Sequence, residues 1–306
     1  MTSPPHPLRL GTRASPLALA QAQLVRDALL AAHGWDAGAV EIVPMTASGD
    51  RVLDRSLADI GGKALWTKEL DSALLESRID FAVHSVKDVE TVRPPEIAIA
   101  AMLPRADARD RLIGATSIDA LPNTAKVGTN SPRRVAQLLA LRPDLQIILF
   151  RGNVATRLRK VETGEADATL LAAAGLDRLG MNDVGAPISI DIMLPAAAQG
   201  AVGIEARRGD AATLALLSAI SDKATMRCVL AERAFLGGLN AGCHSPVAAH
   251  AVVEGNGLKL RGELLAADGT EVLAGEALID GPEQAGALAH ELLGKASPGL
   301  RALFGA

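Results

Sequence analysis

Apolar and polar positions alternate in blocks along most of the chain, and the blocks predict β-strands and α-helices in turn. The stretch Asp80–Val89 shows this best, because its first half is apolar on both faces of a strand. Such a strand is typical of a parallel sheet that is covered on both sides. The stretch ends in the charged pair Lys87 and Asp88, at the kind of strand end where open α/β sheets bind ligands. An ordinary surface ion pair is the alternative interpretation.

Strands and helices alternate over the first two thirds of the chain, so we predict two α/β units joined by a hinge at 104–107. The predicted strands lie at 8–13, 40–45, 81–86, 97–103, 111–114, 126–128, 145–150, 168–171, 188–192 and 201–205, and the helices at 16–32, 66–78, 131–141, 153–163, 173–178 and 210–220. Segment 48–63 lacks periodicity, and a loop that long is either a functional lid or disordered. Two such units suit a ligand bound in the cleft between them.

The last third of the chain has a different pattern, which predicts a small α+β domain. Three strands at 247–253, 258–265 and 271–278 are spaced as a β-meander, with turns at Gly255–Gly257 and Asp268–Gly269. Helices at about 222–235 and 282–293 flank these strands. The sequence therefore predicts two α/β units followed by a smaller α+β unit.

Composition limits the classes of function that this chain can have. The chain has 306 residues, 49% hydrophobic and 22% charged, which allows a sizeable core. A net charge of −4, only 2% aromatic residues and no tyrosine argue against a nucleic-acid partner. No apolar run approaches the roughly 20 residues that span a bilayer, and no signal-peptide pattern follows the Pro-rich start. We therefore expect a cytoplasmic protein with no membrane partner.

Arginines recur at predicted strand–helix junctions, where the helix dipole disfavours them. Arg13, Arg133, Arg134, Arg151 and Arg157 all lie just before or within the first turns of predicted helices. A cation there costs roughly 0.3–1 kcal/mol, whereas a charge-assisted bond to a carboxylate contributes roughly 1.5–3 kcal/mol. Because arginine binds planar carboxylates bidentately, the set predicts a ligand with several carboxylates. Scattered surface arginines are the alternative interpretation.

Phosphate ligands are disfavoured, because neither glycine-rich stretch has the spacing of a phosphate-binding loop. Gly61–Lys63 has the wrong glycine spacing and is followed by alanine where serine or threonine is needed. Gln199–Gly203 lacks the leading glycine of the dinucleotide motif and opens a strand, not a helix. A ligand that carries several carboxylates is the better prediction.

The two cysteines have different settings. Cys228 lies on the apolar stripe of a predicted helix and is expected in the core. Cys243 lies in a loop of small residues, where exposure and the neighbouring His244 favour a reactive thiol. A metal site and a Cys–His nucleophile are the rivals, but no second ligand pair follows, and adjacent loop residues rarely orient as nucleophile and base. We expect no metal, and we expect His84 to lie in the core or to support a site residue; a catalytic His84 is the alternative.

Five motifs, taken in order, resemble the porphobilinogen deaminase (hydroxymethylbilane synthase) family over nearly the whole chain. The matching stretches are Gly11–Leu19, Ala82–Val89, Arg151–Leu158, Gln199–Glu205 and Gly242–Cys243. The resemblance implies two periplasmic-binding-protein-like α/β domains around a cleft plus a small α+β C-terminal domain. Domain 1 would take 1–103 and 202–222, domain 2 would take 104–201, and domain 3 would take 223–306.

The same resemblance implies a transferase of tetrapyrrole biosynthesis. Four porphobilinogen molecules would be joined head to tail onto a dipyrromethane cofactor, which a thioether holds on Cys243. Each coupling would release ammonia, and water would release the linear tetrapyrrole. Asp88 matches the family's catalytic aspartate, and a carboxylate there would stabilise positive charge and move protons. The implied partner is porphobilinogen, and the implied enzyme is a monomer.

The resemblance also implies which residues bind the carboxylates of cofactor and substrate. They are Arg13, Ser15, Lys63, Ser85, Lys87, Thr129, Ser131, Arg133, Arg134, Arg151, Arg157, Arg178 and Gln199. The chain departs from the family pattern at Glu90, Pro132 and His244, where proline, leucine, and glutamine or serine are usual. These departures bear on the tuning of the site.

Two other functions fit parts of the pattern. A non-catalytic carboxylate-binding receptor or sensor module would also have two lobes and an arginine-lined cleft, but it would need neither Cys243 nor Asp88. An unrelated transferase that acts on phosphorylated substrates would need the phosphate loop that the sequence lacks.

Overall fold

The computed structural model describes residues 6–46, 67–242 and 244–305. These residues form two compact units. The first unit comprises 6–46, 67–106 and 201–226, and the second comprises 107–200 and 227–305 apart from 243. The predicted lid at 48–63, with Lys63, and the predicted attachment residue Cys243 lie outside the described residues.

The described residues contain thirteen strands and nine α-helices. The strands are β1 (Leu8–Arg13), β2 (Val40–Met45), β3 (Phe81–Ser85), β4 (Ile97–Met102), β5 (Asp110–Ile113), β6 (Lys126–Thr129), β7 (Gln146–Leu149), β8 (Ala168–Ala172), β9 (Ala186–Pro187), β10 (Val202–Arg207), β11 (Val247–Glu254), β12 (Gly257–Leu265) and β13 (Val272–Ile279). The helices are α1 (Pro16–His33), α2 (Lys68–Leu75), α3 (Pro132–Leu141), α4 (Val154–Glu162), α5 (Ala173–Arg178), α6 (Ala211–Ser218), α7 (Lys223–Gly238), α8 (Ala285–Lys295) and α9 (Pro298–Ala302).

The first unit is built on one five-stranded sheet with the order β2-β1-β3-β10-β4. β1 runs parallel to β2 and β3, whereas β10 is antiparallel to β3 and β4. Leu10, Phe81 and Ile204 of the sheet are buried in one cluster with Val25 and Leu29 of α1. Each such side chain contributes roughly 1.5–3 kcal/mol on burial. Because β1 and β3 are parallel neighbours, their carboxyl ends lie at the same edge.

The second unit contains a similar five-stranded sheet with the order β7-β6-β8-β5-β9. β6 is parallel to β7 and β8, and β5 is antiparallel to β8 and β9. Because β6, β7 and β8 are parallel neighbours, their carboxyl ends meet at one edge of this sheet. Glycine is required at Gly128 in β6, because a Cβ there would lie 2.3 Å from the buried ring of Phe150.

The tail of the second unit is an antiparallel meander, β11-β12-β13, as predicted. Leu260 of β12 packs in a buried cluster with Phe235 of α7 and Leu288 of α8. Gly255 and Gly269, in the two hairpin turns, have φ of 58° and 74°. Both lie in the left-handed region that glycine adopts without steric cost, which is why the two glycines signalled turns in the sequence.

Most predicted elements are confirmed within a few residues, but three details differ. The strand predicted at 188–192 is wrong: Ser189 O accepts hydrogen bonds from the amides of Ile192 and Met193, so the chain turns there. The alternation of isoleucines with polar residues mimics a strand, but β9 has only two residues, Ala186 and Pro187. Both α/β sheets are mixed and not wholly parallel, and α9 is absent from the sequence prediction.

The predicted fold class is confirmed, with two α/β sheets and an α+β tail. The division into three domains stays a prediction. Segments 107–200 and 227–305 lie in one compact unit, although the tail has a hydrophobic cluster of its own. None of the helices among the described residues is long and apolar enough to cross a membrane.

Candidate active site

The predicted site residues of the first unit gather at one edge of its sheet. Arg13 ends β1, and Ser15 is the N-cap of α1. Ser85 ends β3, and Lys87 and Asp88 follow it in a single 3₁₀ turn. Since β1 and β3 are parallel neighbours, both segments leave the sheet at the same edge. Lys87 and Asp88 are half-buried, so part of each side chain faces solvent.

Two side-chain contacts fix the backbone of this edge. Ser15 Oγ accepts a hydrogen bond from the Ala18 amide at 3.3 Å, which begins α1. The amide of Gln21, a buried residue on α1, lies 2.8 Å from Ser85 Oγ and ties the helix to the end of β3. Sequence reasoning missed Gln21. The available signal was its position on the face of α1 that also carries the apolar stripe.

A buried ionic cluster in the same unit is centred on Arg93. Its guanidinium donates to Glu205 of β10, at 2.8 and 2.7 Å, and to Asp71 of α2, at 3.1 and 2.5 Å. On the other side, His84 Nε2 lies 3.2 Å from Glu205 Oε2. Burial alone would raise the pKa of Glu205, but the adjacent His84 and Arg93 outweigh it and lower that pKa to about 2. Glu205 is therefore ionised throughout the physiological range.

Glu90 belongs to the same cluster. Its Oε2 accepts hydrogen bonds from Arg93 Nη1 at 2.8 Å and from the hydroxyl of buried Thr67 at 2.9 Å. The sequence placed a second carboxylate two residues after Asp88, where the family usually has proline. In the structure that carboxylate accepts hydrogen bonds from both Arg93 and Thr67 and so connects the two residues.

In the second unit, Arg133 and Arg134 share one buried carboxylate, Asp110. Arg133 Nη2 lies 2.8 Å from Asp110 Oδ2, and Arg134 Nη2 lies 2.7 Å from Oδ1. The three residues are 3%, 6% and 2% exposed. Burial alone would raise the pKa of Asp110, but the two guanidinium groups hold it far below its usual range. For these two arginines the protein itself supplies the offsetting anion that the sequence argument sought in a ligand.

Each of these guanidinium groups has hydrogen-bond donors beyond those that reach the shared carboxylate. Arg134 Nη1 donates to Leu170 O at 2.9 Å. Arg133 Nη1 donates to Gln137 Oε1 at 2.8 Å and to Leu194 O at 3.1 Å. Arg133 Nε is buried and meets no acceptor among the described residues. A buried polar atom of this kind marks a place where a further acceptor belongs.

The other predicted arginines of this unit follow its strands. Arg151 comes two residues after β7, Arg157 lies in α4, and Arg178 ends α5; all three are half-buried. Arg157 Nε donates to Gly152 O at 3.0 Å, and Arg178 Nη2 donates to Gly200 O at 2.6 Å. Burial lowers the pKa of Arg178 from its ordinary value, yet an arginine stays protonated in a protein. All three side chains are partly accessible cations, and hydrogen bonds to the backbone hold Arg157 and Arg178 in place.

Three predicted polar residues hold the local framework. The hydroxyl of buried Thr129 accepts a hydrogen bond from the Ser131 amide at 3.2 Å, and Ser131 is the N-cap of α3. Gln199 is buried, and its Nε2 donates to Asp110 Oδ1 at 2.8 Å. Sequence reasoning missed Asp110, which accepts hydrogen bonds from Gln199, Arg133 and Arg134. Direct ligand binding by Thr129, Ser131 and Gln199 stays a prediction.

His244 is the first described residue after the predicted attachment residue, and it is exposed. Desolvation of its ring and the positive charge of Arg151 both lower its pKa below the ordinary value. The positive charge of Arg151 therefore acts on His244, the residue that follows Cys243 in the sequence.

Two family models match the chain. One, described as "Porphobilinogen deaminase, dipyromethane cofactor binding domain", covers residues 8–215, and the other, "Porphobilinogen deaminase, C-terminal domain", covers 226–295. The chain belongs to the porphobilinogen deaminase family. A porphobilinogen deaminase from Sphingopyxis alaskensis is 56% identical over 310 residues, which is 99% of this chain and 98% of that protein. One from Paracoccus denitrificans is 51% identical over 302 residues, 97% of this chain and 96% of that protein.

Among solved structures, a Salmonella typhimurium periplasmic binding protein with high arginine specificity matches with a TM-score of 0.40 and 14% identity. The match covers 72% of this chain and 94% of that one. At that level of similarity the fold assignment depends on the sheets described above.

The porphobilinogen deaminase family binds a dipyrromethane, and the described residues fit such a group. Acidic substituents on such a group would need basic donors, and Arg151, Arg157 and Arg178 are partly accessible cations. The unpartnered Nε of Arg133 adds a donor that lacks an acceptor. No group of three or more His, Cys, Asp or Glu side chains in the described ranges could hold a metal ion.

One departure from the family pattern has a local explanation. Pro132 is the first residue of α3, directly after the N-cap Ser131. Proline is favourable there, because its missing N–H would have no partner within the helix and its fixed φ suits the first turn. Pro132 therefore stabilises the start of the helix that carries Arg133 and Arg134.

Proposed function

We propose that this chain is a hydroxymethylbilane synthase. It joins four porphobilinogen molecules head to tail, releases ammonia at each coupling, and releases the linear tetrapyrrole with water. The observation that carries this proposal is the match to both family domains together with 56% identity over nearly the whole chain. The position of Asp88 at the carboxyl edge of a parallel strand pair supports it.

Asp88 is proposed as the catalytic residue. Loss of ammonia leaves positive charge on the substrate, and a carboxylate close to the pyrrole N–H stabilises that charge. The same carboxylate can accept and return the proton that each coupling moves. Asp88 suits this role because it is half-buried in the 3₁₀ turn that follows β3, and Gln21 of α1 is hydrogen-bonded to Ser85 at the end of that strand.

We propose that the basic and polar residues of both units bind acetate and propionate groups. In the first unit these are Arg13, Ser15, Ser85 and Lys87, together with Lys63, and in the second unit they are Thr129, Ser131, Arg133, Arg134, Arg151, Arg157, Arg178 and Gln199. Charge-assisted hydrogen bonds from these groups contribute roughly 1.5–3 kcal/mol each. Several such bonds distributed along a polyacid hold each new pyrrole in position for the next coupling.

Cys243 is proposed as the attachment residue of the dipyrromethane. When bound there through a thioether, this group supplies the anchored pyrrole to which the first substrate is joined. The chain's own contribution is the positive charge of Arg151, which acts on His244, the residue next to Cys243 in the sequence.

We further propose that the enzyme acts in the cytoplasm as a monomer, with porphobilinogen as its partner and with neither nucleic acid nor membrane. The low aromatic content and the net charge of −4 support the exclusion of nucleic acid. Size-exclusion chromatography with light scattering tests the oligomeric state.

The experiment that tests the function is an assay of the purified chain with porphobilinogen. Ammonia and the linear tetrapyrrole are measured together, and we expect one ammonia for each porphobilinogen consumed. A protein that binds porphobilinogen but returns it unchanged would instead be a carboxylate-binding receptor.

A further inference from the structure

One face of the tail sheet reaches the arginine pair of the second unit. Leu258, Leu260 and Leu264 of β12 point into the tail's own buried cluster. Glu263 alternates with them and therefore lies on the opposite face. From that face its Oε2 accepts a hydrogen bond from Gln137 Nε2 at 2.7 Å. Gln137 is a buried residue of α3, the helix that also carries Arg133.

Gln137 connects Glu263 to Arg133 through two hydrogen bonds, and the donor and acceptor of each bond are fixed by the chemistry of the groups. Gln137 Oε1 accepts from Arg133 Nη1 at 2.8 Å, and Gln137 Nε2 donates to Glu263 and to Leu194 O, at 2.9 Å. A guanidinium can only donate and an ionised carboxylate can only accept. The Gln137 amide must therefore turn its oxygen to Arg133 and its nitrogen to Glu263. No other orientation satisfies both neighbours.

The charges of the cluster point to the same role for Glu263. Arg133 and Arg134 carry two positive charges, and Asp110 offsets only one of them. Glu263 brings the second negative charge, and its field acts on Arg133. Buried charge left without compensation is costly, so the tail sheet completes the balance of the arginine pair.

A second contact holds α3 to the tail sheet independently. The hairpin turn between β12 and β13 places Gly269 against the helix backbone. A Cβ at Gly269 would lie 2.4 Å from the Ala140 amide nitrogen and 2.7 Å from Ala136 O. The tail sheet therefore contacts α3 at Ala136 and Ala140 as well as at Gln137, the residue next to Ala136.

We propose that Glu263 is a positioning residue for Arg133 and acts through Gln137. The tail sheet thereby sets the direction of the Arg133 guanidinium and of its unpartnered Nε. This inference rests on the proposed function, in which Arg133 binds a carboxylate of the cofactor. Glu263 itself touches neither cofactor nor substrate in this proposal.

The test compares Glu263→Gln with Glu276→Gln in the full-length purified protein. Glu276 lies on the neighbouring strand β13 and pairs with Lys259, so its change removes the same charge without touching the chain to Arg133. Three quantities are measured: the fraction of protein that carries the two-pyrrole mass, KM and kcat for porphobilinogen, and the unfolding midpoint. For Glu263→Gln we expect the loaded fraction to fall and KM to rise roughly fivefold, the effect of weakening one charge-assisted hydrogen bond to a neutral one. Its unfolding midpoint should lie below that of Glu276→Gln, because Arg133 loses part of its charge compensation, so loading and KM are measured under conditions in which both variants are fully folded.

A double-variant cycle tests whether Glu263 acts through Gln137. If it does, Glu263→Gln adds nothing to the loss of loading seen in Gln137→Leu, because the connection is already broken. Additive losses, or a Glu263→Gln protein that loads and turns over like Glu276→Gln, would overturn the inference. If Gln137→Leu does not fold, the comparison of Glu263→Gln with Glu276→Gln still decides whether Glu263 affects cofactor loading and KM. A parent protein without adduct and without consumption of porphobilinogen would instead refute the proposed function.

Discussion

His84 Nε2 lies 3.2 Å from Glu205 Oε2, and both side chains are buried in the strand pair that leads to Asp88. Arg93 contacts the same carboxylate from the other side. Glu205 thus has two basic neighbours, His84 and Arg93, on separate segments of the first unit. A single acidic side chain joins β3, β10 and the segment after Asp88.

This arrangement predicts a pH dependence of stability. The folded-state pKa of Glu205 is lowered from 4.5 to about 2, so its contribution is complete above pH 4.5 and is lost as the pH falls toward 2. The contribution is on the order of 3 kcal/mol. The free energy of unfolding is measured by urea denaturation between about pH 3 and about pH 6. As the pH falls through this range, it should decrease more steeply in the parent than in Glu205→Gln. If the free energies of unfolding of the two proteins changed with pH in parallel, Glu205 would not be the source of the acid sensitivity.

Glu90 is predicted to stabilise the fold and to take no part in catalysis. Its carboxylate binds Arg93 and Thr67, so Glu90→Gln turns a charge-assisted hydrogen bond into a weaker neutral one in a partly exposed site and costs about 1 kcal/mol. We expect kcat to stay within about twofold of the parent. The unfolding midpoint checks the predicted loss of stability, and steady-state kinetics check the predicted kcat. A large fall in kcat at unchanged stability would assign Glu90 to the chemistry.

Asp110 is predicted to be the most sensitive carboxylate of the second unit. Asp110→Asn leaves two buried guanidinium groups without their shared anion, and breaking a buried pair in this way costs about 3–5 kcal/mol. The matched control is Asp144→Asn, whose partner Arg142 lies two residues away at the surface. Chemical denaturation should separate the two variants clearly. Equal midpoints would show that Asp110 does not hold the arginine pair.

Asp88→Ala is predicted to fold like the parent and to lose turnover by roughly a hundredfold to ten-thousandfold, the range of general acid–base catalysis. Folding is preserved because Asp88 is only half-buried. Asp36→Ala serves as a control, since Asp36 is exposed and makes no capping hydrogen bond with its side chain. Circular dichroism and porphobilinogen consumption are measured on both. Parent-level consumption by Asp88→Ala would remove Asp88 from the mechanism.

Local features of this fold could be predicted from the sequence, because their signals lie within a few residues. Ser15, Ser131 and Asn153 were each expected at a helix start, and each side chain accepts a hydrogen bond from the first turn of its helix. The strand before Asp88 could also be predicted, because a strand that is apolar on both faces is typical of the interior of a covered sheet.

Contacts between distant segments could not be predicted in the same way. Arg93 and Glu205 are 112 positions apart, and Gln137 and Glu263 are 126 apart. Nothing in the spacing of either pair indicates a partner. The same limit explains Asp110: the placement of Arg133 and Arg134 predicted an anionic ligand, whereas their partner within the protein is a carboxylate of β5, which no local pattern connects to α3.

The central claim is that this chain carries its own two-pyrrole primer on Cys243. The most direct test is the intact mass of the purified protein beside that of Cys243→Ser. We expect the parent to exceed its sequence mass by two linked pyrrole units and the variant to show the sequence mass alone. A parent at its sequence mass that still makes tetrapyrrole, or the same surplus on the variant, would contradict the account.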